Sequence, residues 1–251
     1  MNECKAKSVP CDLSTCNIDF DNDSVYLDDP RLYREIVGSL IYLMTCSRPD
    51  LCYVVTVLSQ FMSSPRVAHL NLAKYVLRYL RGTVDHGIMF KKSSLMIIGY
   101  TDASWGSTGD RRSISGFCYK LGHDSSLVSW KSKKQTVVAL SSCEAEYISM
   151  TGGMQEGVFL QQLLDGLGFH DASKTVTLYV DNKGAIDLGK NPVYHQRSKH
   201  IGIKYHYIRS KILDGSFVLK YIPSKENVAD IFTKPCTRNS LTSFNVARKV
   251  L

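Results

Sequence analysis

Apolar residues recur at three-to-four spacing in three successive segments, residues 32–44, 49–62 and 67–83. That period predicts amphipathic helices, interrupted by Pro49, Pro65 and Gly82. From residue 95 the pattern shortens. LMIIGYTDA, SGFCYKLG and LVSWKS are runs rich in β-branched and aromatic residues, set apart by Gly, Ser and Asp, and they predict a three-stranded meander. Residues 141–167 then read as a long helix stopping at Gly168, 176–181 as a strand and 183–188 as a short helix. KHIGIKYHYIRSKILDG predicts a further helix with Gly215 as its C-terminal stop, 217–222 a strand, and 228–233 a last short helix. Three antiparallel strands followed by alternating helices and strands build an α/β domain, a mixed five-stranded sheet flanked by helices, preceded by a small helical subdomain.

Residues 1–29 carry no such period. They hold seven carboxylates against Lys5 and Lys7, a net of −5, so the rest of the chain carries +13 of the total +8. This acidic stretch predicts an extended linker, and the basic remainder favours a polyanionic partner such as nucleic acid. The eight cysteines form no CxxC pair, and Cys52, Cys118 and Cys143 sit in apolar runs that suit small buried hydrophobes. Reduced thiols in an intracellular protein are expected. Cys4, Cys11 and Cys16 have no nearby His to complete a metal knuckle. The start, MNECKAKSVPC, lacks a signal-peptide core, and no apolar run approaches the roughly 20 residues of a membrane span, so a soluble protein without a membrane partner is expected.

Four acidic residues stand in distinctive local words: Asp102 in GYTDASWG, Glu146 in LSSCEAEYISM, Asp181 in LYVDNKGAI and Asp230 in PSKENVADIFTK. Asp102 and Asp181 each close an apolar strand. If those strands are parallel neighbours, both carboxylates reach one rim, where they repel unless cations bind between them. The long helix offers two candidates, Glu144 and Glu146, about 200° apart around the axis, so one at most faces the site. Asp230 opens the last helix, a position where a cap is the plainer reading.

Those words, with SWKSKKQTVVALSSCEAEY, NPVYHQRSKHIGIKYHYIR and ENVADIFTKP, resemble the ribonuclease H domain of a copia-like (Pseudoviridae) retrotransposon Pol polyprotein, and the resemblance runs over residues 32–235. It implies a ribonuclease H-like domain at 95–236, a segment at 30–92 that joins it to a polymerase core, the acidic linker at 1–29 and a tail at 237–251. It selects Glu146, because the family's Ala-Glu-bulky pattern matches Ala145-Glu146-Tyr147. It also assigns Asp230 as the closing metal ligand. The implied activity is hydrolysis of the RNA strand of RNA/DNA hybrids during reverse transcription. Asp102, Glu146, Asp181 and Asp230 would hold two Mg²⁺ ions, with Mn²⁺ as a substitute. A catalytically inactive or domesticated remnant that binds nucleic acid or protein is the competing reading. The partners implied are the hybrid and the polymerase part of the same polyprotein. The setting implied is cytoplasmic, in a virus-like particle, or nuclear.

Trp130, Lys131, Lys133, Lys134 and Gln135 form a basic, aromatic-led segment before the catalytic helix, suited to tracking a phosphate backbone, while Ser142 and Asn182 are candidate hydrogen-bond donors near the cut strand. His195, Arg197 and His200 match a family stretch whose role the sequence leaves open. Many ribonucleases H carry a His in the loop before the last Asp; LKYIPSKENVAD has none, as is general in copia-like sequences. YLDD at 26–29 resembles the polymerase metal motif YxDD. It lies between an acidic stretch and Pro30 rather than in an apolar hairpin, which opposes that reading.

Overall fold

The computed structural model describes residues 4–12, 16, 24–92, 95–190, 202–236 and 247–248. Two compact units emerge, one from residues 1–89 together with 234–251, the other from 90–233.

In the first unit, α1 (Arg31–Cys46), α2 (Cys52–Ser59) and α3 (Val67–Arg81) form where the apolar period placed helices. Their apolar stripes supply the interior, with Tyr33, Val37, Leu40, Leu58, Leu72 and Val76 buried. YLDD is used structurally. Tyr26 makes an antiparallel bridge with Arg66, and the Asp29 carboxylate accepts the Arg31 backbone N–H (3.0 Å) just ahead of α1. Arg48 and Asp50, on either side of Pro49, form a buried two-pronged ion pair (3.0 and 2.8 Å), and Tyr79 Oη donates to the same carboxylate at 2.7 Å. Cys11, Cys16 and Cys236 are buried, and none of the eight cysteines forms a disulfide. The Cys11 thiol is pushed up by its hydrogen bond with Cys16 and by burial. A short pairing not foreseen from sequence joins His86–Gly87 to Ala247–Arg248.

The second unit is the mixed sheet. Strands β1 (Ile97–Ser104), β2 (Ile114–Leu121) and β3 (Leu127–Lys134) form the antiparallel meander, and β4 (Val176–Val180) and β5 (Phe217–Tyr221) add in parallel, giving the spatial order β3-β2-β1-β4-β5. The long helix α4 (Ser142–Gly166), α5 (Lys183–Lys190) and α6 (Gly202–Leu213) supply the helical layer. The core lies between one face of the sheet and those helices, with Tyr119, Leu178, Val180 and Phe217 against Tyr147, Met150 and Met154. The last expected helix is a five-residue 3₁₀ turn, Val228–Phe232. Asn227 Oδ1 accepts the Ala229 N–H at its start, and the Thr233 backbone N–H donates to the Asp230 carbonyl (3.1 Å) at its end.

Candidate active site

The parallel pairing of β1 with β4 runs from Ile98 opposite Thr177 to Thr101 opposite Val180, so the next step along each strand is Asp102 and Asp181. Two parallel strands in register deliver both carboxylates to the same rim. Glu146 comes from the first turns of α4, where the sequence places a capping box. Ser141 Oγ accepts the Glu144 N–H (3.2 Å), and Glu144 Oε2 accepts the Leu140 N–H (2.9 Å). That cap employs Glu144. Two residues on, Glu146 reaches the sheet, and its Oε1 accepts the Ala103 N–H at 3.1 Å. One carboxylate oxygen from each of Asp102, Glu146 and Asp181 lies within 4.8 Å of the other two.

Burial sharpens the electrostatics. Asp102 is 1% exposed and Glu146 6%, so their charges are poorly screened and repel across a short gap. The Cys143 thiol reports the same field, pushed up by burial and then by the Glu146 and Glu144 carboxylates. An all-oxygen donor set of like charge, mostly withdrawn from water, fits hard divalent cations such as Mg²⁺ or Mn²⁺. Asp230 sits on the 3₁₀ turn, partly exposed, and does not belong to the group of three.

Several contacts to Asp102 involve residues the sequence did not single out. Ser149 Oγ donates to its backbone carbonyl at 2.7 Å, and the Thr233 hydroxyl donates to its Oδ2. Asn227 Nδ2 donates to the neighbouring Thr101 carbonyl at 2.9 Å. A signal for two of these was present: Asn227, Asp230 and Thr233 stand three residues apart, the repeat of a 3₁₀ turn.

The basic segment is divided by strand alternation. Lys131 and Lys133 face the α4 side of β3, whereas Trp130, opposite Cys118, faces the other way. Lys131 and Lys133 line a groove of about 500 Å³ together with Gln155 of α4 and Lys204 of α6. Burial holds Lys204 below the usual lysine range. Lys134 pairs with Asp110 at 3.1 Å. Gln135 is 4% exposed and donates from Nε2 to Ser115 Oγ (2.8 Å) and the Ala145 carbonyl (2.9 Å), which makes it a brace for α4 rather than a surface group. Ser142 is exposed at the start of α4, and Asn182 Oδ1 accepts the Ala185 N–H (3.0 Å) at the start of α5. His195, Arg197 and His200 lie outside the described residues.

No family model matches the chain. It is 44% identical over 221 residues to the retrovirus-related Pol polyprotein from transposon RE2 of Arabidopsis thaliana, covering 87% of this chain and 15% of that protein. Against the corresponding polyprotein from transposon TNT 1-94 of Nicotiana tabacum it is 42% identical over 208 residues, covering 82% and 15%. The chain therefore spans about 15% of the length of these relatives. Among solved structures, the foamy viral protease-reverse transcriptase in complex with an RNA/DNA hybrid shares the fold, with a TM-score of 0.50 at 10% identity over 85% of this chain and 27% of that one. With its sheet order and flanking helices, the second unit has the ribonuclease H-like fold that its motifs foretold, and over most of its length the chain is similar to a part of the Pol polyproteins of copia-like retrotransposons.

Proposed function

We propose that the chain hydrolyses the RNA strand of RNA/DNA hybrids in a reaction dependent on Mg²⁺, or on Mn²⁺ in its place. One observation carries this reading: the carboxylates of Asp102, Glu146 and Asp181 converge from two parallel strands and a helix. Asp102 and Asp181 anchor the cations, and Glu146 and Asp230 complete the ligand set. Bound there, a pair of such ions supplies an activated water and stabilises the departing oxygen of an in-line displacement. The protein's own residues do the holding: Ser149 and Thr233 fix Asp102, and the Ala103 amide fixes one oxygen of Glu146. Lys131 and Lys133 meet phosphates of the duplex, which is recognised by shape and by the 2′-OH rather than by base edges. The setting is intracellular, alongside the polymerase part of the same polyprotein.

A labelled hybrid incubated with the chain and Mg²⁺ or Mn²⁺ tests the proposal. Cleavage of the RNA strand should stop with chelator and fall by orders of magnitude in Asp102→Asn and Asp181→Asn. Without metal those variants should melt no lower than the parent, because each relieves repulsion between crowded carboxylates. Variants that cleave as fast as the parent would refute the metal assignment. A parent that binds hybrid and never cleaves it makes the non-enzymatic remnant the better account.

A further inference from the structure

We infer that Thr233, seated by Asn227, is a positioning residue that holds the Asp102 carboxylate for cation binding and ties it to the turn bearing Asp230. The inference rests on the metal-centre reading above. Its starting point is a period. Residues 227, 230 and 233 flank and occupy the 3₁₀ turn Val228–Phe232, and at three residues per turn they stack along one edge. Asn227, 5% exposed, uses both halves of its amide. Oδ1 accepts the Ala229 N–H (3.1 Å) and starts the turn, while Nδ2 donates to the Thr101 carbonyl (2.9 Å) and fastens it to β1. At the other end Thr233, 1% exposed, presents its hydroxyl to Asp102 Oδ2 and lies 3.1 Å from the Asp230 carbonyl. A hydroxyl has one hydrogen, so the two acceptors share it, and a single group connects the first acidic residue of the site to the backbone of the last.

The neighbouring strand is shaped to admit this contact. Gly116 is the residue opposite Asp102 in the β1–β2 pairing. A Cβ there would fall 2.7 Å from Phe232 Cβ and 2.8 Å from Thr233 Cγ2. The turn thus rests on bare backbone beside Asp102, and any side chain at 116 would lift it away. A donor fixed on one carboxylate oxygen restricts rotation of the group, so that it meets a cation in an orientation already set. Such hydrogen-bonded supports behind a metal ligand are typically worth about 10–100-fold in metal affinity.

The test uses the full chain and Mn²⁺ as the probe, read by calorimetric titration in the absence of nucleic acid. Thr233→Val keeps the shape and removes the donor; Thr233→Ser keeps the donor. The expected result is a roughly tenfold or greater loss of Mn²⁺ affinity in T233V, parental affinity in T233S, and little change in metal-free melting temperature for either. In the cleavage assay the Mg²⁺ concentration for half-maximal rate should rise in T233V, with much of the rate recovered at saturating Mg²⁺. If T233V does not fold, Thr233→Ala carries the same comparison against T233S. Parental Mn²⁺ affinity in the hydroxyl-free variant overturns the inference and leaves the metal centre standing. A parent chain that takes up no Mn²⁺ overturns both.

Discussion

At the scale of single residues, identical side chains acquire different work from what surrounds them. Glu144 and Glu146 lie two positions apart on one helix, yet the first closes the N-terminal cap and the second joins Asp102 and Asp181. Sequence spacing could say only that they point apart; the family pattern chose between them. The three-residue period of Asn227, Asp230 and Thr233 marked a turn but not its contact with Asp102, because a hydroxyl at 149 or 233 becomes a donor to a particular acceptor only when tertiary packing brings the two together. Asp110 shows a third fate. Its carboxylate accepts from the Thr108 hydroxyl (2.5 Å), meets Lys134 at 3.1 Å and takes the Arg112 N–H, and these partners lower its pKa from 3.8 to about 2. A depressed folded-state value stabilises the fold above the unfolded value, and that stabilisation fades as pH falls from about 4 through 2. The group is exposed, so the effect is small. In thermal melts over that range, Asp110→Asn should lie below the parent at pH 6 and converge with it at the acid end. Curves separated by a constant interval at every pH would contradict the assignment.

Among the secondary elements, periodicity carried most of the information. The three helices of the first unit, the meander, the long helix and the two parallel strands all stand where apolar spacing put them. Less visible was which faces meet. WKSKKQ reads as one basic patch, but strand pleating sends Lys131 and Lys133 to one side and Trp130 to the other, and the strand's end turns Gln135 inward. The pair Gly152-Gly153 is a sharper case. Both sit in the middle of α4, where glycine costs about 1 kcal/mol relative to alanine. A Cβ on Gly153 would come within 2.5 Å of Thr101 Cγ2, whereas one on Gly152 would have nothing within 4 Å. Gly153 therefore permits the close approach of helix to β1 that brings Glu146 beside Asp102, and Gly152 carries only the propensity penalty. Gly153→Ala should destabilise by about 1–3 kcal/mol despite its better propensity. Gly152→Ala should stabilise by about 0.5–1 kcal/mol. Urea denaturation of the two variants decides the matter, and equal shifts in the same direction would show that the helix does not rest on residue 153.

For the whole molecule, charge is the feature that sequence conveys and fold then focuses. The +13 carried by residues beyond 29 says that a polyanion is favoured without saying where it binds. In the sheet unit, part of that charge is gathered in the groove between β3 and α4, where Lys131 and Lys133 come from an edge strand and Lys204 from α6. Their spacing in sequence, with 70 residues between Lys133 and Lys204, is why composition alone could not assemble them. If phosphates occupy this groove, each lysine that meets one displaces condensed counterions, and the binding constant acquires a steep dependence on salt. Hybrid affinity measured by fluorescence anisotropy in Ca²⁺ or chelator, across a salt series, reads this dependence without any cleavage. Replacing Lys131 and Lys133 together by Gln should flatten the log–log slope by roughly 2, about one for each phosphate that no longer meets a lysine. Trp130→Ala, on the opposite face of the same strand, removes no charge and should leave the slope unchanged. Parental slopes in the double lysine variant would mean that phosphates run elsewhere on the basic surface, and would leave the acidic centre unaffected, since Asp102, Glu146 and Asp181 come from β1, from α4 and from the end of β4.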